Sequence, residues 1–164
     1  MAAGVVKGLL LLWFGKRGPE AVEQLADDYR DRIARTLPIA EHRLRPAAGQ
    51  REDRAATLER EAAEVRRHLR PGDLLVVLDE CGRQLTTREF SVFLQEATGR
   101  GRVVLVVGSD LGVAAALRGE ARLELALSRL TLPHHLARVV LLEQLYRALD
   151  LAAGGPYHRG GAGG

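Results

Sequence analysis

The segment at residues 103–112 reads VVLVVGSDLG and joins five consecutive apolar residues to a polar loop with a glycine at each end. A short, uninterrupted apolar run is typical of a strand that is covered on both faces of a sheet. A second such run, LLVVL, occupies residues 74–78 and leads into the polar segment DECG, which we predict to be a loop. The two runs therefore predict two buried strands, each followed by a polar connection.

Strand-like and helical patterns alternate outward from these two runs. Further strand patterns cover residues 5–14, 39–44 and 123–127, and helical spacing of apolar residues covers residues 19–33, 50–70, 86–97 and 134–149. Alternating units of this length predict an α/β fold, with a mainly parallel sheet and helices on both faces. Ligands bind such sheets beyond the carboxyl ends of the strands, where the loops after Leu78 and Val107 are expected to lie.

The composition limits the class of protein. A chain of 164 residues that is 46% hydrophobic and 27% charged has the balance of one compact domain. The formal charge of +3 is too small to indicate nucleic-acid binding by itself. Cys81 is the only cysteine, which fits a reducing compartment, and the apolar run at residues 9–14 is too short for a membrane span. We therefore expect a cytoplasmic protein with no membrane partner.

The sequence lacks the motifs of several common α/β enzymes. The loop at residues 108–112 does not have the G-x-G-x-x-G pattern of dinucleotide-binding proteins, and no phosphate-binding G-x-x-x-x-G-K-[ST] loop occurs. No G-x-S-x-G motif indicates a hydrolase. His134 and His135 are adjacent rather than at the spacing of metal ligands, so we predict no metal site.

Three segments in the last third of the chain form a specific combination. They are LSRLTLPH at residues 127–134, RVVLLEQLYRA at residues 138–148 and PYHR at residues 156–159. Together they resemble the pseudouridine N3-methyltransferases of large-subunit ribosomal RNA, a branch of the SPOUT, or trefoil-knot, methyltransferases. The resemblance covers nearly the whole chain.

The resemblance implies a deep trefoil knot near the C-terminus that binds S-adenosylmethionine in a bent conformation. It implies a single SPOUT methyltransferase domain at residues 1–159, while the composition of residues 160–164 predicts a flexible glycine-rich tail. It further implies a homodimer that methylates N3 of a pseudouridine in 23S ribosomal RNA of the assembled ribosome. General packing rules would not predict this topology, because knots are nearly absent from proteins.

The resemblance also assigns site residues. Those expected to contact S-adenosylmethionine are Leu78, Gly108, Leu127, Ser128, Arg129, Leu130, Thr131 and Leu132. Glycine and loop backbone can approach the edge of an adenine, and leucine side chains can cover its faces. Three residues, Tyr157, His158 and Arg159, are expected beside the target base as the catalytic group, where they complete the site of the partner subunit.

Each of these three side chains suits a step of methyl transfer to a ring nitrogen. Tyr157 can stack on the nucleoside, and Arg159 can bind phosphate or stabilise the developing base anion. His158 either accepts the proton that leaves the base or positions the substrate, and the sequence leaves both roles open.

The loop at residues 108–112 departs from the family pattern. Most members have G-G-x-x-G, whereas this chain has GSDLG, so that Ser109 adds a side chain and Asp110 supplies an acidic group one position early. Three alternatives remain open: a SPOUT-type RNA methyltransferase with a different RNA target, a catalytically silent RNA-binding or ribosome-associated protein of the same fold, and an unrelated α/β protein that binds a small molecule.

Overall fold

The computed structural model describes residues 7–47 and 53–156. Its strands form one five-stranded sheet with the order β2-β1-β4-β3-β5. They are β1 (Gly8–Phe14), β2 (Ile39–Leu44), β3 (Leu74–Arg83), β4 (Arg102–Val107) and β5 (Leu123–Leu125). Every strand pairing within the described residues is parallel, which confirms the predicted sheet.

The helices cover both faces of this sheet, also as predicted. They are α1 (Glu20–Ala34), α2 (Arg54–His68), α3 (Thr87–Arg100), α4 (Ala115–Glu120) and α5 (His134–Ala152). The side chains of β1 alternate between two core clusters. Leu9 and Leu11 pack with α1, α3 and α5, whereas Leu10 and Leu12 pack with α2 and α4. The continuous apolar runs therefore arise because the central strands are buried on both sides.

The edge strand β2 differs from the central strands, as its alternating sequence predicts. It pairs with β1 alone, and only Leu44 among its residues is fully buried. A capping box of Thr86 and Glu89 begins α3. Thr86 Oγ1 accepts a hydrogen bond from the Glu89 backbone N–H at 3.2 Å, and Glu89 Oε2 accepts one from the Thr86 backbone N–H at 2.7 Å.

The prediction that residues 79–82 form a loop is wrong. β3 continues to Arg83, and Leu78 and Arg83 both pair with Leu125, so the residues between them bulge out of the regular ladder. Gly82 is buried in this bulge, where a Cβ atom would lie 2.7 Å from the carbonyl oxygen of Glu124. The polar DECG sequence therefore marks an irregular strand, in which Oδ1 of Asp79 accepts the Cys81 backbone N–H at 2.8 Å.

None of the helices in residues 7–47 and 53–156 is both long enough and apolar enough to cross a membrane. The predicted tail at residues 160–164 lies outside the described residues.

Candidate functional site

A cavity of about 730 Å³ opens at the carboxyl ends of β3, β4 and β5. Its walls come from the bulge at residues 78–81, the loop at residues 107–113 and the loop at residues 125–134, with single side chains from α2 and α4. The volume lies in the range of small-molecule sites, roughly 300–1,000 Å³. The site therefore forms at the edge of the sheet where parallel α/β folds bind ligands.

Most of the residues that the sequence assigned to a cofactor meet at this cavity. Those that line it are Leu78, Gly108, Leu127, Ser128, Leu130, Thr131 and Leu132. Arg129 lies in the same loop, but its side chain is exposed and it is not among the lining residues. The fold thus brings together three segments that are distant in the sequence, since Leu78 and Leu132 are more than 50 positions apart.

The loop after β4 is a tight turn that depends on its two glycines. A Cβ atom on Gly108 would lie 2.5 Å from the carbonyl oxygen of Gly112 and 2.7 Å from Cγ2 of Val113, so a side chain has no room there. Gly112 has φ +87°, in the region that glycine adopts without strain. The Gly112 backbone N–H donates to the Ser109 carbonyl at 2.8 Å and closes the turn.

Ser109, which replaces the second glycine of the family pattern, anchors this loop to α2. Its hydroxyl donates to Oε2 of Glu61 at 2.8 Å, and Glu61 is buried with 5% of its surface exposed. Oε1 of the same carboxylate accepts the backbone N–H of Ala47 at 3.1 Å. One buried carboxylate therefore connects α2, the loop after β4 and the segment after β2.

The loop at residues 127–132 is shaped by side-chain hydrogen bonds. Ser128 Oγ accepts the backbone N–H of Leu130 at 2.9 Å, which forms a short turn. Thr131 Oγ1 donates to Oε2 of Glu80 at 3.2 Å and connects this loop to the bulge of β3. Leu78, Leu127 and Leu132 are partly buried at the cavity wall, which gives the cavity an apolar side.

Charged groups that sequence patterns did not single out also line the cavity. Arg118 of α4 places Nη1 3.7 Å from Oδ2 of Asp79, and its Nε is buried without a hydrogen-bond partner among the described residues. Arg54 of α2 donates from Nη2 to the Leu111 carbonyl at 2.9 Å. Arg54 lies in α2 and Arg118 in α4, and neither belongs to a recognisable sequence motif. The sequence therefore did not indicate their position at the site.

His134, the first residue of α5, joins the cavity to the end of β1. Its Nδ1 lies 3.5 Å from Oδ1 of Asp110, and its ring stacks on Trp13 with 6.4 Å between the ring centroids. A Cβ atom on Gly15 would lie 2.3 Å from the imidazole, so the absence of a side chain at Gly15 permits this contact.

A buried ion network holds the start of α5 against α1 and β2. Arg138 is 3% exposed, donates from Nη1 to Oε2 of Glu23 at 2.9 Å, and bonds Glu41 through Nε. Its guanidinium lies 4.6 Å from the Trp13 ring centroid. Burial alone raises the pKa of Glu23, but the backbone N–H of Gly18 and the charge of Arg138 outweigh it and lower the pKa below its ordinary value.

The lining fits the chemical groups of S-adenosylmethionine. The leucine side is suited to a purine ring, and the guanidinium of Arg118, which lines the cavity, is suited to a carboxylate. The carboxylates of Asp79, Glu80 and Asp110 can face the ammonium and sulfonium groups. Within the described residues, no cluster of three or more histidine, cysteine or acidic side chains could hold a metal ion.

The predicted catalytic residues Tyr157, His158 and Arg159 lie outside the described residues. Their assignment to the target base stays a prediction. The described chain ends at Pro156, directly before them.

Comparisons with known proteins identify the family of this chain. Residues 8–158 match a family model described as "Predicted SPOUT methyltransferase". The chain is 39% identical to a protein of Gloeobacter violaceus, over 92% of this chain and 97% of that protein. It is 40% identical to a protein of Thiobacillus denitrificans, over 92% and 98% of the two chains. Both relatives are named ribosomal RNA large subunit methyltransferase H.

A solved structure with a similar fold is that of a SpoU methyltransferase from Streptomyces viridochromogenes in complex with AdoMet. The identity is 15% and the TM-score 0.47, and the match covers 92% of this chain and 60% of that one. The family model spans nearly every element of the fold, and the relatives match almost end to end. The chain therefore belongs to the SPOUT methyltransferase family.

Proposed function

We propose that this protein transfers a methyl group from S-adenosylmethionine to N3 of a pseudouridine in 23S ribosomal RNA of the large subunit. The observation that carries the proposal is the cavity at the carboxyl ends of β3, β4 and β5, which is lined by Leu78, Gly108 and the loop at residues 127–132. The printed names of the relatives support ribosomal RNA as the substrate class.

The cofactor would be held by the three segments that line the cavity. Leu78, Leu127 and Leu132 supply the apolar wall for the adenine. Because Gly108 has no side chain, the backbone of its loop can approach the adenine closely. Arg118, which lines the cavity, provides a positive charge for the carboxylate. When bound, S-adenosylmethionine supplies a methyl group made electrophilic by its sulfonium.

The protein's remaining task is to hold the base in line and to handle one proton. A bond forms between the methyl carbon and N3 as the carbon–sulfur bond breaks, and the proton on N3 must leave. In this proposal Tyr157 stacks on the nucleoside and Arg159 stabilises the charge on the base. His158 either accepts the proton or positions the substrate.

The proposal includes a homodimer, in which the residues at 157–159 of one subunit complete the site of the other. An apolar surface at the start of α5 supports it. Leu136 and Val140 lie one helical turn apart and remain 40% and 37% exposed, and Leu130 in the adjacent loop remains 77% exposed. A second copy of this chain would cover these side chains.

The proposal further includes a trefoil knot, a single domain at residues 1–159, and action on the assembled ribosome in the cytoplasm. One sheet that contains all the described strands supports the single domain. Membership of the family supports the knot. The strands β4, β3 and β5 are neighbours in the sheet, and the loops that follow them line one cavity.

The experiment that tests the function has two stages. Calorimetric titration of the purified protein with S-adenosylmethionine should give micromolar affinity, with one site per chain or per dimer. Ribosomes that lack the modification should then gain one methyl group, located at N3 of a pseudouridine by mass spectrometry of digested 23S RNA. Transfer to another nucleotide would replace the proposed target, and the lack of binding at millimolar cofactor would leave a catalytically silent RNA-binding protein.

A further inference from the structure

Four cationic side chains surround the ends of β1 and β2, and we name them the cationic rim: Lys16, Arg17, Arg43 and Arg45. The two strands end side by side, because Phe14 pairs with Leu44 and the Gly15 backbone N–H donates to the Leu44 carbonyl at 3.4 Å. Their carboxyl ends lie at the same edge of the sheet as the cavity, since all the described strands are parallel. The rim therefore lies at this edge too.

All four side chains of the rim are exposed. Arg17 lies 3.8 Å from Glu23 but keeps 69% of its side chain exposed, so this pair is screened by water. Among the described residues, no carboxylate forms an ion pair with Lys16, Arg43 or Arg45. Three of the four positive charges are thus available to an external partner.

Two acidic side chains near the rim are already engaged. Glu41 lies two residues before Arg43 on the same face of β2, and its side chain is buried against Arg138 and Arg30. Glu23 is buried and bonds both Arg138 and the Gly18 backbone N–H. Because these two carboxylates point into the protein and their charge is offset there, they do not neutralise the rim; the exposed acidic residues beside it are Glu20 and Asp110.

The rim is continuous with the wall of the cavity. Gly15 directly precedes Lys16 and contacts His134, which lines the cavity. Trp13, the strand partner of Arg43, stacks on the same histidine. The rim is therefore within reach of the neighbouring units of a polymer that places one unit at the cavity.

We propose that the cationic rim binds phosphate groups of the RNA next to the base that enters the cavity, which rests on the proposed function. Exposed arginine and lysine side chains suit phosphate, because guanidinium groups can donate two parallel hydrogen bonds and ammonium groups supply a point charge. The net charge of only +3 means that attraction for RNA depends on local clusters of this kind.

Double substitutions test the rim against a matched pair elsewhere. The variants are Arg43→Gln with Arg45→Gln, and Lys16→Gln with Arg17→Gln. The control is Arg35→Gln with Arg100→Gln. Both arginines are exposed: Arg35 follows the last residue of α1, and Arg100 is the last residue of α3. They lie near the amino ends of the strands, away from the rim. Dissociation constants are measured at several potassium chloride concentrations for protein-free 23S RNA and for assembled ribosomes.

We expect each rim variant to bind both probes more weakly and to lower the slope of log K against log salt by about 1 for each lost phosphate contact. The control pair should retain the wild-type slope, and all variants should retain the wild-type affinity for S-adenosylmethionine. Equal slopes for the rim and control variants would overturn the proposal. Unchanged binding of assembled ribosomes by the rim variants would also overturn it, because the assembled ribosome is the substrate of the proposed function.

The same variants separate this proposal from the proposed function. A wild-type protein that binds RNA through the rim, yet neither binds S-adenosylmethionine nor transfers a methyl group, would support the rim and refute the enzyme. A wild-type protein that methylates RNA, with slopes unchanged in the rim variants, would support the enzyme and refute the rim.

Discussion

Gly108 is the residue at which the shape of the cavity is most tightly constrained. Alanine there would place its Cβ atom 2.5 Å from the Gly112 carbonyl oxygen, so the loop after β4 must move. We expect Gly108→Ala to weaken S-adenosylmethionine binding about tenfold or more, which corresponds to about 1.4 kcal/mol. Calorimetry measures the change directly.

Gly99→Ala is the matched control for this substitution. Gly99 is exposed near the end of α3, and a Cβ atom there would meet nothing within 4 Å. The exchange should leave cofactor affinity unchanged. If Gly108→Ala bound the cofactor as tightly as Gly99→Ala does, the loop after β4 would not be part of the cofactor site.

The residues at the cavity differ in how far the sequence could predict them. The family resemblance indicated Leu78, Gly108 and all of the loop at residues 127–132, and each of these residues except Arg129 lines the cavity. Arg54 and Arg118 could not be found in this way, because their place at the cavity depends on how α2 and α4 pack on the sheet. The role of Ser109 was also hidden, since its partner Glu61 lies 48 positions away.

At the scale of elements, the buried contact between α5, α1 and β2 makes the fold sensitive to acid. The pKa of Glu23 is lowered in the folded protein, because the Gly18 N–H and Arg138 outweigh the effect of burial. Its contribution to stability is therefore present above the ordinary glutamate pKa of about 4.3 and is lost as the pH falls through the lower folded value.

We expect Glu23→Gln to lower the free energy of unfolding at neutral pH by about 1.5–3 kcal/mol, the usual worth of a hydrogen bond to a charged group. The variant should also lose less stability than the wild type on acidification below pH 4.3 or so. Urea denaturation at a series of pH values measures both effects. Exposed Glu96→Gln serves as control, and parallel curves for Glu23→Gln and the wild type would contradict the assignment.

Elements were predictable where local sequence and packing agree. A few neighbouring residues are enough to recognise the apolar runs of β3 and β4 and the capping box of α3. The structure contains all three features. The bulge in β3 was missed, because polar residues at 79–81 normally indicate a loop and the pairing of Arg83 with Leu125 depends on a strand 42 positions later. Strand order likewise depends on long-range pairing that local patterns do not contain.

At the scale of the whole molecule, the proposed homodimer requires that each active site contain parts of two chains. The exposed Leu130, Leu136 and Val140 lie beside the cavity loops, so a subunit that covers them would approach the opening of the site. In this arrangement the cofactor loops of one subunit work with His158 of the other. Two variants, one in the cofactor loop and one at His158, test whether the two subunits share each site in this way.

Gly108→Ala damages the cofactor loop, and His158→Ala removes the proposed base or positioning group. With S-adenosylmethionine kept well below the wild-type dissociation constant, the Gly108→Ala homodimer should keep about a tenth or less of the wild-type rate, and the His158→Ala homodimer should be nearly inactive. If the variants are unfolded together and refolded at equal amounts, about half of the dimers contain one subunit of each kind. Each mixed dimer has one intact site, formed by the cofactor loop of the His158→Ala chain and the tail of the Gly108→Ala chain. Methylation of ribosomes should therefore return to about one quarter of the wild-type rate. Activity that stays at the level of the separate variants would show that the tail acts on the cavity of its own subunit, because every site in the mixture would then carry one of the two defects.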